Sequence, residues 1–197
     1  MSRTLSGRSS ALLLLLVTAC ATRQPAPAPV PVELPGQWEL EGRLALANGR
    51  DGGSGTLSWS HQAELSQLAF VGAFGRGAWR LTVTPVSAEL VLSDGQVYRA
   101  PEVSELVADL TGWQIPVEAL TWWVVGSAQP GFPATEQRHE TGYLTALRQH
   151  GWQVKFEGRL SAGPGTLPRK ITAVRGKDRV RLLVKGWRLP ETAADAP

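Results

Sequence analysis

Cysteine and long apolar runs are scarce in this sequence. A single cysteine, Cys20, occurs among 197 residues, so the chain cannot form an internal disulfide. No apolar run reaches the length of about 18 residues that a membrane-spanning helix requires. These absences exclude a disulfide-stapled fold, and they predict a protein that is not embedded in a membrane by its own helices.

The residue patterns of common catalytic and metal sites are also missing. The three histidines, His61, His139 and His150, do not have the spacing of zinc ligands, and no free cysteine can assist them. The segment GGSGT lacks the order of a serine nucleophile elbow, and GAFGRG lacks the Lys and Ser or Thr of a phosphate-binding loop. We therefore expect no enzymatic activity, no metal and no cofactor.

The N-terminus has the layout of a secretory signal. Arg3 and Arg8 precede a short apolar run over residues 11–17, and the signal ends in the sequence VTAC at residues 17–20. This ending resembles the lipobox of bacterial lipoproteins, in which the signal is cleaved before the cysteine and acyl chains such as palmitate are attached to it. We predict a signal peptide over residues 1–19 and lipidation of Cys20. The alternative is an ordinary signal peptide with an incidental cysteine.

Two features after the cleavage point concern location. In lipoproteins of this type an aspartate after the cysteine commonly signals retention in the inner membrane, and position 21 is alanine. The resemblance therefore implies the outer membrane, with the protein on its periplasmic face and anchored by lipid. Residues 20–36 are rich in Pro and Ala and predict an extended tether that spans roughly 40–50 Å, or a passive linker.

Charge gives no indication of a nucleic-acid partner. The formal charge of the chain is +3, and Arg3 and Arg8 leave with the signal, so the mature chain carries +1. Proteins that bind nucleic acid usually present a strongly basic stripe. We therefore do not expect nucleic acid to be a partner.

The body of the chain, residues 37–190, is dominated by alternation of apolar and polar residues, and residues 191–197 are expected to form a flexible tail. Alternation with period two predicts strands, and Gly-containing turns separate them. We predict an antiparallel meander that forms a barrel or a strongly curved sheet. The predicted strands contain WELEGRLALA, TLSWSH, SQLAF, WRLTVT, AELVL, QVYRA, YLTALRQ, GWQVKFEGRL, RKITAVRG and DRVRLLVKGW.

Helical spacing is found only in the middle of the chain. PEVSELVADLTG places apolar residues on one helical face and ends with Gly112, a typical C-terminal stop. IPVEALTWWVVG begins with Pro116 close to a first helical turn. Eight tryptophans lie in the body, and we expect most of them to pack in the core. Two short helices among many strands predict a sheet with a helical cover.

Several segments together resemble one family. They are W-x-L-x-G-R-L-A-L at the first strand, L-x-F-x-G-x-F-G before the fourth, L-T-G-W-x-I-P-V-x-x-L-x-x-W across the helices, and L-P-R-K-I and V-R-L-L-V-K-G-W near the end. These segments resemble the LolB family of outer-membrane lipoprotein receptors, from about Trp38 to Trp187. The helix-pair segment with Gly112, Trp113, Pro116 and Trp123 is the most specific part of the resemblance.

The resemblance implies a mainly β fold: an unclosed antiparallel β-barrel with short helices covering an apolar cavity. It implies a monomer that accepts acylated lipoprotein cargo from a LolA-type periplasmic carrier and inserts it into the inner leaflet of the outer membrane. A structural or assembly lipoprotein that binds protein partners without a lipid cavity is the alternative. Candidate cavity residues from the more apolar faces are Leu44, Leu46, Trp59, Leu68, Phe70, Leu81, Val83, Leu106, Leu110, Trp123, Val124, Val154 and Leu182.

Phe74 lies in a glycine-rich connection where a small polar residue is usual. In the resembled family an apolar loop residue, usually leucine in a P-L-G setting, promotes insertion of cargo into the membrane. Phe74 before Gly75 matches that leucine, although Ala73 replaces the proline. The resemblance therefore implies that Phe74 is the membrane-insertion residue. A ring folded back on the core is the alternative.

Overall fold

A computed structural model describes residues 36–75, 77–163 and 165–190. The predicted signal peptide, Cys20, almost all of the tether and the C-terminal tail lie outside these residues. The strands are β1 Gln37–Ala47, β2 Gly52–Gln62, β3 Leu65–Gly72, β4 Trp79–Thr84, β5 Ser87–Leu92, β6 Val97–Ala100, β7 Thr135–Arg138, β8 Leu144–Gln149, β9 Trp152–Ala162, β10 Gly165–Arg175 and β11 Asp178–Arg188. The helices are the 3₁₀-helix η1 Ala73–Gly75, α1 Val103–Thr111 and α2 Val117–Trp123.

All described strands belong to one antiparallel sheet of 11 strands in the order β6-β5-β4-β3-β2-β1-β11-β10-β9-β8-β7. The first and last strands pair in the middle of the sheet, so β6 and β7 remain as unpaired edges. The predicted fold class, an unclosed antiparallel barrel, is confirmed. Trp38 and Leu40 of β1 are buried on its inner face, whereas Glu39 and Glu41 between them are exposed, as alternation requires.

Two glycines allow the central strands to approach closely on the inner face. A Cβ atom at Gly42 would lie 2.6 Å from the carbonyl oxygen of Leu183, where β1 has a bulge against β11. A Cβ at Gly55 in β2 would lie 2.3 Å from the carbonyl oxygen of Val71. No other residue type fits either position without a shift of the backbone, and such glycines are typical of the bends of curved sheets.

Both predicted helices are present between β6 and β7. Gly112 ends α1 with a left-handed φ of 70°, and its N–H donates to the carbonyl of Ala108. Pro116 immediately precedes α2. Ser104 joins the two helices: its Oγ accepts from the backbone N–H of Val117 at 3.1 Å, and its own N–H donates to Glu118 at 3.2 Å. The helices are therefore linked to each other by polar groups, and α1 packs on β5 and β6.

The structure differs from the sequence prediction at two places. The segment TLSWSH predicts a second strand from Thr56, but β2 already begins at Gly52, so the turn after β1 comprises only residues 48–51. It is this short because Asn48 Oδ1 accepts from the N–H groups of Arg50 and Asp51 at 3.0 and 2.8 Å. Strand β7 is absent from the predicted strands, since all of its residues are exposed and polar and it shows no alternation. It is a strand because it pairs with β8.

Tryptophans form much of the core, as predicted. Trp38, Trp123 and Trp152 are at most 1% exposed. Trp38 contacts Trp59 and Trp187 edge-on, with ring centroids 5.3 and 5.7 Å apart. These rings belong to the neighbouring central strands β1, β2 and β11, and they pack against one another where the two halves of the sheet join.

A buried glutamine ties the end of α2 to the sheet. Gln149 of β8 is 3% exposed, and its Oε1 accepts from the indole N–H of Trp123 at 2.9 Å and from the N–H of Gln129 at 2.9 Å. Its Nε2 donates to the carbonyl of Gln129 at 2.8 Å. This one side chain therefore makes hydrogen bonds to α2 and to the loop that follows it.

We expect Gln149→Met to lower the free energy of unfolding by about 2–4 kcal/mol, because the buried indole N–H of Trp123 and the half-buried backbone N–H of Gln129 lose their acceptor. Urea denaturation measures the difference. The matched control is Gln153→Met on the exposed face of β9, which should stay within about 0.5 kcal/mol of the wild type. Equal stability of the two variants would contradict the assigned role of Gln149.

Candidate functional site

The inner face of the sheet and α2 enclose an apolar cavity. Every lining side chain is apolar, and the strands that contribute are β1, β2, β3, β4, β10 and β11. The lining residues are Leu44, Leu46, Leu57, Trp59, Leu68, Leu81, Ile115, Val117, Leu120, Val124, Ile171, Val180 and Leu182. Since this lining offers almost nothing but hydrocarbon and one ring, a ligand that fits it must be apolar where it is bound.

The structure brings together part of the set predicted from sequence. The predicted residues that line the cavity are Leu44, Leu46, Trp59, Leu68, Leu81, Val124 and Leu182. Six others do not line it. Phe70 stacks on Trp79 with a centroid separation of 5.2 Å, Val83 is half-buried beside the core, and Leu106, Trp123 and Val154 are buried elsewhere. Leu110 lies on the outer side of α1 and is 36% exposed.

Sequence reasoning missed six lining residues: Leu57, Ile115, Val117, Leu120, Ile171 and Val180. Leu57 shares a face of β2 with Trp59, so alternation alone could have found it. Ile115 precedes the helix and had no periodic signal. Its place in the lining depends on how the α1–α2 loop crosses the sheet.

The cavity is small as it stands, with a volume of about 70 Å³. Pockets that hold drug-sized ligands have volumes of roughly 300–1,000 Å³. A long acyl chain therefore enters only if the cover moves away from the sheet. The helices of the cover are short, at 9 and 7 residues.

The loop between α1 and α2 is held to one end of the sheet. The guanidinium of Arg175, at the end of β10, donates to the carbonyl of Gln114 at 2.7 Å and lies 4.9 Å from the ring centroid of Trp152. Trp113 lies over the same end, beside Leu46 and Arg179. Hydrogen bonds from one arginine side chain to Gln114 and a few apolar contacts therefore close the cavity at this end.

The 3₁₀-helix η1 stands at this same end. It follows Gly72, which pairs with Gly55 near the start of β2, and it contacts β2. Gly75 and Gly77 have positive φ angles of 75° and 62°, which let the chain reverse within a few residues. The backbone of Phe74 thus occupies the tip of a tight connection beside the cavity end of the sheet.

The described residues contain no group of three or more His, Cys, Asp or Glu side chains arranged to hold a metal ion. In the same parts of the chain, no helix has the length and apolar character to cross a membrane.

Comparison with solved structures identifies the fold. The fold is similar to the crystal structure of an outer membrane lipoprotein-sorting protein domain from Vibrio parahaemolyticus. The TM-score is 0.55, the match covers 81% of this chain and 87% of that chain, and the sequence identity is 8%. The chain is therefore a half-barrel protein with a helical cover, of the same fold.

The sequence assigns the particular family. The family described as "Outer membrane lipoprotein LolB" matches residues 36–187. Outer-membrane lipoprotein LolB of Marinobacter nauticus is 35% identical over 77% of this chain and 74% of its own length. The protein of the same name from Azoarcus sp. is 33% identical over 88% of this chain and 90% of its own. This chain belongs to the LolB family of outer-membrane lipoproteins, and the predicted resemblance is confirmed; the family consists of lipoprotein-localisation proteins and not of enzymes.

We expect Leu120→Trp to reduce binding of a fluorescent fatty-acyl probe by about tenfold, because the larger ring fills the cavity from α2. Probe titration by fluorescence measures the affinity. Leu110→Trp is the matched control, since it adds the same ring to the outer side of α1. If both variants bind the probe like the wild type, the probe does not occupy this cavity.

Proposed function

We propose that this protein is the outer-membrane receptor that accepts acylated lipoproteins from a LolA-type periplasmic carrier and inserts them into the inner leaflet of the outer membrane. The observation that carries the proposal is the wholly apolar lining of the cavity between the sheet and α2. Burial of acyl methylene groups against such a lining contributes about 0.8 kcal/mol per CH₂. Membership of the LolB family and the sorting-protein fold support a lipoprotein as the ligand.

The proposed anchor is a lipid attached to Cys20. Acyl chains on this residue would hold the protein on the periplasmic face of the membrane, and residues 20–36 would act as the tether. A tether of this length lets the half-barrel meet a carrier in the periplasm and then return to the bilayer.

Loading requires the cover to move, because the cavity is far smaller than an acyl chain. The end of α2 is fixed to the sheet by Gln149, whereas the α1–α2 loop is held by the bond from Arg175 to Gln114. Ser104 couples α1 to the start of α2. We infer that α1 and the beginning of α2 move together, away from the sheet, about the fixed end of α2.

The direction of transfer comes from differences in affinity. The proposed cycle uses no nucleotide, so cargo passes from carrier to receptor to bilayer only if its free energy falls at each step. A small cavity that must open to admit an acyl chain holds that chain less strongly than a bilayer does, which favours release.

The small volume also favours a second candidate, a structural or assembly lipoprotein that binds protein partners and never takes up an acyl chain. The two candidates differ in whether cargo changes hands. The test incubates a carrier loaded with an acylated lipoprotein with vesicles that contain the acylated protein, in the absence of nucleotide. Cargo that becomes inserted in the vesicles supports the receptor. Cargo that stays on its cognate carrier supports the structural candidate.

We expect Phe74→Glu to accept cargo from the carrier normally but to deliver it to vesicles about tenfold more slowly. The physical reason is that insertion of an apolar side chain into lipid contributes about 1.5–3 kcal/mol, which a carboxylate forfeits. Cargo inserted in the vesicles is measured over time.

Val86→Glu is the matched control, because Val86 is 81% exposed in the β4–β5 turn at the opposite end of the sheet. Phe74→Leu, which resembles the usual residue of the family, should deliver at the wild-type rate. Wild-type delivery by Phe74→Glu would contradict the insertion role and leave the receptor function standing.

A further inference from the structure

Six basic residues gather on two hairpins at one end of the sheet. The β1–β2 and β10–β11 hairpins carry Arg43, Arg50, Arg175, Lys177, Arg179 and Arg181, against two acidic residues, Asp51 and Asp178. These six cations and two anions give a net charge of 6 − 2 = +4, which is larger than the formal charge of +3 of the whole chain.

The two hairpins lie side by side. Arg179 and Arg181 of β11 are paired with Ala47 and Ala45 of β1, so both arginines project from the outer face at the end of the central strands. The turns also meet, since a Cβ atom at Gly49 would lie only 3.1 Å from Cβ of Lys177. The charges therefore form one surface rather than two.

Five of these cations lack an acidic partner. Arg175 is 3.6 Å from Asp178, but within residues 36–75, 77–163 and 165–190 no carboxylate lies within 4.0 Å of the others. We call these others the basic cluster: Arg43, Arg50, Lys177, Arg179 and Arg181.

Two cations on the same outer face, toward the other end of β10 and β11, are paired with carboxylates. Lys170 is 2.9 Å from Glu157, and this hydrogen bond is the main reason that the pKa of Glu157 is lowered. Arg188 bonds Glu41 at 2.8 Å at the far end of β11. Cations outside the basic cluster on these strands are therefore partly offset by carboxylates, whereas none of the five cations of the basic cluster has such an ion pair among the described residues.

The position of the basic cluster in the fold indicates what it could bind. It occupies the end of the sheet that also holds η1 and the α1–α2 loop, the two parts beside the mouth of the cavity. Leu183, 38% exposed, adds an apolar side chain next to Arg43. Exposed cations on two adjacent hairpins attract anionic headgroups without requiring a shaped partner.

We propose that the basic cluster binds anionic phospholipid headgroups and thereby holds the η1 end of the half-barrel against the bilayer. This inference rests on the proposed function, because it supplies the orientation in which Phe74 and the cavity mouth face the membrane. Attraction by the headgroups brings the end to the surface, and the apolar tip then inserts.

The test places a fluorescent label at the tip of η1. Cys20 is the only natural cysteine and is acylated in the proposed mature protein, so Ala73→Cys supplies a single free thiol. The acylated full-length mature protein is reconstituted into vesicles that are either neutral or contain about one third anionic phosphatidylglycerol. Quenching of the label by a quencher buried in the bilayer reports insertion of the tip.

We expect strong quenching in anionic vesicles at low salt and weak quenching in neutral vesicles or at high salt, where charges are screened. Arg179→Glu/Arg181→Glu should lower the equilibrium constant for insertion about tenfold in anionic vesicles. The matched control, Arg169→Glu/Lys185→Glu, makes the same charge change on the far halves of β10 and β11 and should behave like the wild type.

Equal quenching in neutral and anionic vesicles would overturn the proposal, and so would full quenching of the Arg179→Glu/Arg181→Glu protein. If that variant keeps its quenching but no longer accepts cargo, the cluster serves an acidic carrier and the membrane proposal is wrong. The quenching experiment contains no cargo, so it tests the basic cluster separately from the receptor function. If quenching depends on anionic lipid but the transfer assay fails, the receptor function is wrong and the proposal for the basic cluster stands.

Discussion

The pairing of β1 with β11 is the constraint on which the rest of the structure depends. It joins the beginning and the end of the domain in the middle of one sheet and leaves β6 and β7 as edges that do not meet. Gly42 and Gly55 let the central strands approach at distances that no side chain permits, and the sheet curves around its apolar inner face. A curved sheet that does not close must cover that face with something else.

The cover is thin, and this explains the cavity. Helices α1 and α2 contribute 9 and 7 residues, too little side-chain volume to fill the inner face of eleven strands. Polar bonds hold the cover at a few points only, notably Gln149 to Trp123 and Arg175 to Gln114. A cover of this kind stabilises the closed fold, and under the proposed function it would expose apolar surface to an acyl chain when the loop end moves away from the sheet.

The two ends of the sheet are not equivalent. One end holds η1, the α1–α2 loop and the basic cluster, while ion pairs such as Arg188 with Glu41 lie toward the other. The cavity lining reaches the first end through Leu46 and Val180. The proposed receptor function requires this asymmetry, because cargo would have to leave the protein on the side that meets the lipid.

Local sequence patterns predicted most of the strands, both helices of the cover and the family. Alternation in segments such as WELEGRLALA predicted the strands, Gly112 and Pro116 predicted the limits of the helices, and the helix-pair segment identified the family. Such patterns failed for β7, whose exposed residues become a strand only through pairing with β8. The strand propensity of a segment does not show whether another strand is available to pair with it.

Only the tertiary structure decided which apolar residues face the cavity. Leu110 is predicted to line the cavity but lies on the outer side of α1 and is 36% exposed, because the rotation of a helix on a sheet follows from packing and not from its own periodicity. The basic cluster likewise joins residues from Arg43 to Arg181, which are scattered in the chain. The pairing of β1 with β11 makes them neighbours, and a one-residue change of its register would turn those arginines to the other face.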